Sequence, residues 1–324
     1  DVCLPISLAD VEEAAACLKG VAHRTPVMES STLSSLADKH LYFKCENFQR
    51  VGAFKFRGAC NAIKHLPKDQ MANGVVTHSS GNHAQALALA AKLNGIPAHI
   101  VMPKGSPAVK VNAVKEYGGM VHFCEPNQAA REATCDSIAA ETNAVFVHPY
   151  NNPYIIAGQG TAALELLHDV GELDAIVAPV GGGGLLSGTV VAAKAIHPGI
   201  RIFGAEPVNA DDAQRSLQSG ERITSHASPP DTVCDGLKTV LGDQTWPIIK
   251  DGVESIITVT EAEIMEAMQL VYERMKLVIE PSSATAIAAV LSPTFKAMKD
   301  IKRVGIIISG GNVDLAKLNW LPLK

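Results

Sequence analysis

The sequence predicts an α/β fold with two open, mainly parallel β-sheets. Short β-rich runs alternate with Ala-rich segments of helical length, such as HAQALALAAKLNG, and this alternation is typical of βαβ units. The β-rich runs are continuously apolar, as expected where helices cover both faces of a sheet. A chain of 324 residues also exceeds what one compact core usually holds, so we expect two domains.

Nine runs along the chain are predicted strands. They are LYFKCE from Leu41, GVVTHS from Gly74, AHIVMP from Ala98, MVHFCE from Met120, VFVHP from Val145, AIVAPV from Ala175, RIFGAEP from Arg201, SIITVT from Ser255 and RVGIIISG from Arg303. Turn-rich breaks near residues 71–74 and 149–153 bracket about four strand–helix units. We therefore predict a small domain of residues 74–150, inserted into a large domain of residues 1–73 and 151–324.

The composition narrows the class of function. With a net charge of −5 and no basic run, the chain lacks the positive face that nucleic-acid binding needs. No apolar run reaches membrane length, and the N-terminal segment lacks the basic-then-apolar order of a signal peptide. The seven cysteines include no C-x-x-C pair, which fits reduced thiols. We therefore expect a cytoplasmic protein that acts on small molecules.

Lys55 is a cation between two rings, Phe54 and Phe56, in the stretch GAFKFRGA. If this stretch is buried, poor solvation lowers the pKa of Lys55 toward the neutral amine that forms Schiff bases. Arg57 would lower it further if it lies close. Taken alone, the stretch fits a surface lysine better, one whose aliphatic chain packs along two core aromatics. Three loops change that interpretation.

These three loops follow predicted strands, at the strand ends where open α/β sheets bind ligands. The glycines at 181–184 would let several backbone N–H groups converge on a phosphate before the next helix. SSGNHAQ at 79–85 begins another helix, where a cap or a bound carboxylate is favoured. SGGN at 309–312 offers a hydroxyl to a ring nitrogen. A dinucleotide site is a weaker interpretation, because the third glycine of G-x-G-x-x-G, counted from Gly182, is Ser187.

In order and spacing, these segments resemble the fold-type II pyridoxal-phosphate enzymes. Within that family they are most similar to the eukaryotic serine racemases, plant members especially, and to their serine/threonine dehydratase relatives. The likeness runs from HRTPV at His23 to SGGNVDL at Ser309 and includes FKCENFQRVGAFKFRGA, THSSGNHAQA, AGQGT, APVGGGG, AEPVNADDA, DGLK and IEPSSA. It implies a homodimeric α/β enzyme whose active site lies in the cleft between two sheet domains.

By this resemblance, Lys55 would hold pyridoxal 5'-phosphate as an internal aldimine, and Ser309 would face its pyridine nitrogen. A serine there does not hold a proton on the ring, which makes the pyridine a milder electron sink. The other implied cofactor contacts are Asn82 with the ring 3-hydroxyl and Gly181, Gly182, Gly183 and Gly184 with the phosphate. The substrate carboxylate would bind at the helix start formed by Ser79, Ser80, Gly81, Asn82 and His83.

The resemblance also implies interconversion of L- and D-serine, with Lys55 transferring a proton on one face of Cα and Ser80 on the other. Ser80 is the main ground for preferring a racemase, because the related dehydratases typically have alanine in this loop. Loss of the β-hydroxyl would give pyruvate and ammonia, so both activities are expected on L-serine. A dehydratase of serine, threonine or 3-hydroxyaspartate remains the alternative. A non-catalytic module that binds a nucleotide or an amino acid is a further one.

Two more ligand sites follow from the resemblance. Glu206 and Asp212, with the backbone of Ala210, match the family's divalent-cation site, and oxygen ligands suit Mg²⁺, Ca²⁺ or Mn²⁺. Spacing alone would also fit a solvated acidic loop. ATP–Mg would bind between subunits as an activator, at positions Ser30, Ser31, Thr32, Arg50, Gln85, Tyr117 and Asn312. Tyr150 stands where the animal racemases have asparagine, which leaves the substrate preference open.

Overall fold

The structure, a computed structural model, describes residues 5–318 and contains two β-sheets. Its strands are β1 Val27–Glu29, β2 His40–Cys45, β3 Val75–His78, β4 Ala98–Pro103, β5 Met120–Cys124, β6 Val145–Phe146, β7 Ala175–Pro179, β8 Arg201–Pro207, β9 Ser255–Val259 and β10 Arg303–Ile308. All nine predicted strands are therefore present. The sequence pattern does not predict β1, whose three residues, VME, form no continuous apolar run.

Helices follow most of the strands, as the α/β prediction requires. They are α1 Leu8–Leu18, α2 Ser31–Ala37, α3 Lys55–Lys64, α4 Asn82–Leu93, α5 Ala108–Glu116, α6 Gln128–Thr142, α7 Pro153–Val170, α8 Gly184–Ile196, α9 Asp212–Ser219, α10 Thr245–Gly252, α11 Glu261–Met275, α12 Pro281–Leu291 and α13 Pro293–Lys296. Several begin with a side-chain cap; Asn152, for example, accepts hydrogen bonds from the first N–H groups of α7, where Pro153 lacks a donor.

The six-stranded sheet has the order β1-β2-β10-β7-β8-β9, and the four-stranded sheet has the order β5-β4-β3-β6. Between the strands of residues 5–318, only β1 and β2 pair antiparallel. The strands of the small sheet lie inside the predicted insertion of residues 74–150. The exact domain boundaries stay a prediction, and residues 1–4 and 319–324 of the large domain lie outside the described residues.

Helix α3 connects the two sheets. Phe56 and Ile63 of this helix share a buried cluster with Leu87 of α4 and Ile100 of the small sheet. On another side, α3 lies directly against α7, whose apolar face packs on the large sheet. The position of Lys55, the first residue of α3, is therefore fixed by contacts to both sheets.

Glycines allow α3, α7 and α8 to approach closely. A Cβ at Gly158 of α7 would lie 2.6 Å from the Cα of Gly58 on α3. A Cβ at Gly188 of α8 would lie 2.4 Å from the carbonyl oxygen of Ile156 on α7. Side chains at these positions would force the helix backbones apart, which explains the glycines of the AGQGT motif.

Six of the seven cysteines lie within the described residues and are free: Cys17, Cys45, Cys60, Cys124, Cys135 and Cys234. Cys3 lies outside the described residues. Among the helices of residues 5–318, none combines the length and hydrophobicity that crossing a membrane would need.

We expect Gly158→Ala to lower the free energy of unfolding by about 1–3 kcal/mol, the usual cost of overpacking a dense core. The added methyl group would also lie 2.8 Å from the Arg57 carbonyl oxygen, a backbone atom that cannot rotate away. Urea denaturation of the cofactor-free protein measures the effect. Gly199→Ala is the matched control, because a Cβ at Gly199 meets no atom within 4 Å. Equal stability of the two variants would contradict the close helix approach.

Candidate active site

The loops that the sequence singled out follow β3, β7 and β10. The loop after β10 lies beside the start of α3, and the loop after β7 lies beside the segment after β6. The backbone N–H of Phe54 donates to the carbonyl oxygen of Ser309 at 3.0 Å, which places the start of α3 against the end of β10. Tyr150, which follows β6, lies on the glycine loop, since a Cβ at Gly182 would be 2.2 Å from Cγ of Tyr150. These contacts bring parts of both sheets to one place.

Lys55 presents its amine at this place. Its side chain is half-buried, and its Nζ donates to the carbonyl oxygen of Pro149 at 2.8 Å. The Nζ also lies 5.2 Å from the centre of the Phe54 ring, whereas Phe56 is buried in the core around α4. Burial lowers the pKa of Lys55 from 10.5 to about 8. The predicted shift toward the neutral amine is therefore present, and its cause is desolvation.

The expectation that Arg57 lowers this pKa further is wrong. Arg57 is fully buried and points into an ion-pair network, where its Nε lies 2.8 Å from Glu46 Oε2 and its Nη2 lies 2.8 Å from Glu165 Oε2. Lys44 completes the network, with its Nζ 2.6 Å from Glu165 Oε2. Because two carboxylates balance the two cations, the charge of Arg57 is neutralised locally.

The glycine loop between β7 and α8 has the geometry of an anion site. Gly183 has a φ of +90°, and a Cβ there would lie 2.7 Å from Cδ1 of Ile249. Within residues 5–318, the backbone N–H groups of Gly181, Gly182 and Gly183 donate to no protein acceptor. The first N–H groups of α8 are also free of helix partners. These donors could hold a phosphate group.

Ser309 directly follows β10 and is buried, with 3% of its surface exposed. Its hydroxyl lies 3.0 Å from the hydroxyl of Ser283, which the sequence did not single out within IEPSSA. Ser283 in turn contacts both the N–H and the carbonyl oxygen of Gly310. The orientation of Ser309 is therefore set by a second serine on α12.

Asn82 links α4 of the small sheet to the large sheet. Its Nδ2 donates to both carboxylate oxygens of Glu280, at 3.0 and 3.2 Å, and its Oδ1 accepts from Nδ2 of Asn312 at 2.9 Å. Glu280 is buried, which raises its pKa to about 7. Sequence reasoning missed Glu280, although an acid directly before the proline of a helix start was a signal for a capping position.

The loop before α4 has open space next to Gly81. Ser79 accepts a hydrogen bond from the N–H of Gly81 at 3.3 Å, and a Cβ at Gly81 would meet no atom within 4 Å. Ser80 is half-buried, and among residues 5–318 no hydrogen bond holds its hydroxyl. A small ligand could therefore reach both Ser80 and the free N–H groups at the start of α4.

His83 has a structural position in the first turn of α4. It is 2% exposed, and its Nε2 lies 3.2 Å from the carbonyl oxygen of Val147. Burial, and then the charge of Lys55, lower its pKa well below the ordinary value. His83 is therefore neutral, and this effect of Lys55 shows that the amine lies near the start of α4.

His148 is a second histidine that sequence reasoning missed. Its Nδ1 accepts from the N–H of Asn151 at 2.9 Å and of Tyr150 at 3.3 Å. Burial, and then the charges of His78 and Lys55, lower its pKa to about 4. Neutral His148 thus orders the turn that directs the Pro149 carbonyl toward Lys55.

Arg131 of α6 is also absent from the sequence-based set. Its buried Nε has no hydrogen-bond partner among the described residues. Burial lowers the pKa of His78, which directly precedes the serine loop; the charge of Glu132 raises this pKa and that of Arg131 lowers it, so both charged groups lie near the loop. A single arginine within a helix carries no sequence signal that would have revealed this position.

Glu206 and Asp212 lie together and are buried, at the end of β8 and the start of α9. Burial raises the pKa of Asp212 to about 7, and burial with the charge of Asp212 raises that of Glu206 well above its usual range. His226 approaches this pair, with Nε2 3.7 Å from Oδ1 of Asp212, and the charge of Arg215 also acts on Asp212. Two ionised carboxylates that are buried side by side repel each other, and a cation bound between them would reduce this repulsion.

Ala210 lies between these carboxylates in a short 3₁₀ turn, Val208–Ala210. Within residues 5–318, no three His, Cys, Asp or Glu side chains group closely enough to hold a metal ion. A cation at this place would therefore depend on backbone oxygen such as that of Ala210 in addition to the two carboxylates.

The residues that the resemblance assigns to a nucleotide form two groups. Four lie where α4 packs against residues 50–52, beyond the carboxyl end of β2: Arg50, Gln85, Tyr117 and Asn312. The other three, Ser30, Ser31 and Thr32, lie at the start of α2. Glu29, just before them, pairs with Tyr42 near the beginning of β2. The two groups lie toward opposite ends of β2, so they do not converge within one chain.

Comparison with known proteins identifies the family. Residues 18–310 match the family model described as pyridoxal-phosphate dependent enzyme. The chain belongs to this family. The amine of Lys55, the free N–H groups of the glycine loop and the buried Ser309 hydroxyl fit the aldehyde, phosphate and ring nitrogen of that cofactor.

Relatives of this pyridoxal-phosphate dependent enzyme match it over nearly their full length. Serine racemase of Dictyostelium discoideum is 51% identical, with 97% of each chain covered. The structure of maize serine racemase has a TM-score of 0.95 at 48% identity, covering 97% of this chain and 96% of that chain. The structure of threonine deaminase from T.th. has a TM-score of 0.89 at 39% identity, covering 95% of this chain and 99% of that one. The two-sheet fold predicted from the sequence is confirmed.

We expect the rate at which the cofactor-free protein captures pyridoxal phosphate to rise with pH, with a midpoint of about 8. Only the neutral Lys55 amine attacks an aldehyde, and its lowered pKa makes that form available at lower pH than for an ordinary lysine. Stopped-flow absorbance over a pH series measures the rate. Lys55→Ala serves as the control without capture. A midpoint near 10.5 would show that the amine is not desolvated.

Proposed function

We propose that the protein is a serine racemase that also converts serine to pyruvate and ammonia. The observation that carries this proposal is the Lys55 amine with its lowered pKa, together with the Ser80 hydroxyl, which no hydrogen bond holds among residues 5–318. The electrostatic effect of Lys55 on His83, three residues beyond Ser80, supports a loop that faces the amine. The Dictyostelium and maize relatives, which bear the name serine racemase, support the same activity.

Pyridoxal phosphate, when bound, withdraws electrons from the substrate Cα and makes its proton removable. Lys55 would hold the cofactor covalently, and the glycine loop at 181–184 would bind its phosphate. Asn82 would contact the ring 3-hydroxyl, and Ser309 would face the ring nitrogen. The fixed amide of Asn82 and the buried hydroxyl of Ser309 support these assignments.

The carboxylate of serine would bind at residues 79–83. The N-terminus of α4 offers free N–H donors and a favourable dipole for an anion. The open space at Gly81 leaves room for the substrate.

Two groups would transfer the Cα proton. Racemisation removes a proton from one face and delivers one to the other, which a single base does not do readily. Lys55 would serve one face and Ser80 the other. A serine hydroxyl is a weak base at neutral pH, but the N-terminus of α4, which begins at Asn82, favours negative charge on Ser80. Loss of the β-hydroxyl needs no proton on the second face, so it can proceed without Ser80.

We expect Ser80→Ala to reduce racemisation of L-serine by about 100-fold or more, the typical contribution of a positioned acid–base group. Elimination from L-serine should change little, because Lys55 alone removes that proton. Chiral chromatography of serine and an enzymatic pyruvate assay measure the two products. Ser137→Ala, an exposed serine on α6, is the control. Equal loss of both activities would refute the two-face assignment.

A dehydratase of serine, threonine or 3-hydroxyaspartate is the second candidate. The likeness to the structure named threonine deaminase favours it, because the same fold carries that name at 39% identity. Pyruvate without D-serine as product from L-serine would decide for the dehydratase.

A divalent cation is a further part of the proposal. Glu206, the carbonyl oxygen of Ala210 and Asp212 would bind Mg²⁺, or Ca²⁺ or Mn²⁺ in its place. The burial of two adjacent carboxyl groups with raised pKa values supports this assignment, because a bound cation would stabilise their ionised forms.

We expect saturating Mg²⁺ or Ca²⁺ to stabilise the protein, by about 2.7 kcal/mol at a concentration 100 times the Kd. Asp212→Asn should abolish this gain, because it removes one of two ligand carboxylates. Thermal unfolding with and without the cation measures the effect. Asp251→Asn, an exposed carboxylate on α10, should keep the full gain. A gain that survives in Asp212→Asn would place the cation elsewhere.

ATP–Mg would activate the enzyme at a site shared by two subunits of a homodimer. The separation of the seven nucleotide residues toward opposite ends of β2 supports a shared site, because one chain does not bring them together. A cytoplasmic location stays a prediction, supported by the six free cysteines among the described residues.

A further inference from the structure

Two histidine rings lie in contact on one face of the small sheet. Nδ1 of His99 on β4 lies 3.0 Å from Nε2 of His122 on β5. His99 is 9% exposed, whereas His122 is half-buried at the edge of the sheet, where β5 is the outermost strand. Two imidazole nitrogens this close share one proton, because two N–H groups pointing at each other would clash. At least one of the two rings is therefore neutral.

Met120 lies on the same face of the sheet as both histidines. Side chains alternate between the two faces of a strand, so Met120 and His122 project to the same side of β5. Met120 is also the register partner of His99 on β4. Val101, two residues after His99, and Cys124, two residues after His122, share one buried cluster, which supports the common face. Two imidazoles and a thioether are therefore neighbours on this surface.

The separation of the two imidazole nitrogens suits a single metal ion. Two such nitrogens that each lie about 2.0–2.1 Å from one ion are about 2.9–3.4 Å apart when the angle at the ion is about 90–110°. The observed 3.0 Å between His99 and His122 falls within this range. A bound ion would take the place of the shared proton, which moves to the other nitrogen of its own ring.

The types of donor favour copper. Imidazole binds Zn, Cu, Fe and Ni ions, whereas a soft thioether selects Cu⁺. Met120 is 43% exposed, and its flexible side chain can turn its sulfur toward the histidines. Within residues 5–318, no three His, Cys, Asp or Glu side chains group closely enough to hold a metal, so the third protein ligand here would be the thioether.

We propose that His99, His122 and Met120 bind one Cu⁺ ion at the edge of the small sheet. His99 is the second residue of β4 and Met120 is the first residue of β5, so the ion would lie toward the beginnings of these strands. The loop at 79–83 follows the opposite end of the neighbouring parallel strand β3. The copper site is therefore separate from the proposed active site, and it requires neither cofactor nor substrate.

NMR of the histidine rings in the wild-type holoenzyme tests the proposal. The protein has 11 histidines, and the signals of His99 and His122 are those that His99→Phe and His122→Phe lose. One equivalent of Cu⁺, added in the absence of oxygen, should shift these two signals together. Copper bound by a cysteine thiol would leave both in place, and that result overturns the proposal. A wild-type spectrum in which no histidine signal shifts overturns it whether or not the variants fold.

Competition with a coloured Cu⁺ chelator measures the affinity of each variant. His99→Phe and His122→Phe should each weaken Cu⁺ binding by at least about tenfold, since the loss of even an outer partner of a ligand typically costs that much. His40→Phe replaces an exposed histidine on β2 and should keep the wild-type affinity. Equal affinities for the wild type and the variants at 99 and 122 would rule out the histidine pair as the site.

Met120→Leu distinguishes copper from zinc. It keeps the size of the side chain but removes the sulfur, so it should weaken Cu⁺ binding and leave Zn²⁺ binding at the histidine pair unchanged. Cu⁺ binding as tight as in the wild type would overturn the copper assignment. Turnover of serine should stay at the wild-type level in Met120→Leu, because the site lies away from Lys55.

Discussion

The burial of one amine is the constraint on which the rest of the site depends. Lys55 can attack an aldehyde only when neutral, and desolvation lowers its pKa to about 8. Two features hold α3 so that this burial persists: the ion pairs of Arg57 with Glu46 and Glu165, and the close approach of α3 to α7 at Gly158. Removing one partner of such a buried pair costs about 3–5 kcal/mol, so the start of α3 is strongly fixed.

The same physical cause acts on the other ionisable groups of the cleft. Burial lowers the pKa of His148 to about 4 and raises that of Glu280 to about 7. His83 is likewise kept neutral. Each shift favours the uncharged form, because a low-dielectric environment penalises charge. A ligand phosphate or carboxylate in the cleft therefore interacts mainly with backbone N–H groups, because few side-chain charges compete for it. The orientation of these N–H groups then decides where the anion binds.

Sequence reasoning found nine of the ten strands of residues 5–318, because buried parallel strands are continuous apolar runs between turn residues. It found the glycine loop because only a few residue types suit a strand-to-helix turn around an anion. It missed β1, whose three residues pair with β2, and Arg57 does not lower the pKa of Lys55 as it would if it lay close. Ser283 also gave no signal, because a serine near a helix start usually serves as a cap.

The sequence by itself determined which chemical groups are available: one amine in an apolar stretch, a run of glycines and hydroxyls at strand ends. Only the tertiary structure decided the state of each group. The partners of Arg57, the burial of Lys55 and the contact between the Ser309 and Ser283 hydroxyls depend on residues far apart in the chain. A pKa and a hydrogen-bond partner are set by distance and desolvation, and folding alone creates both.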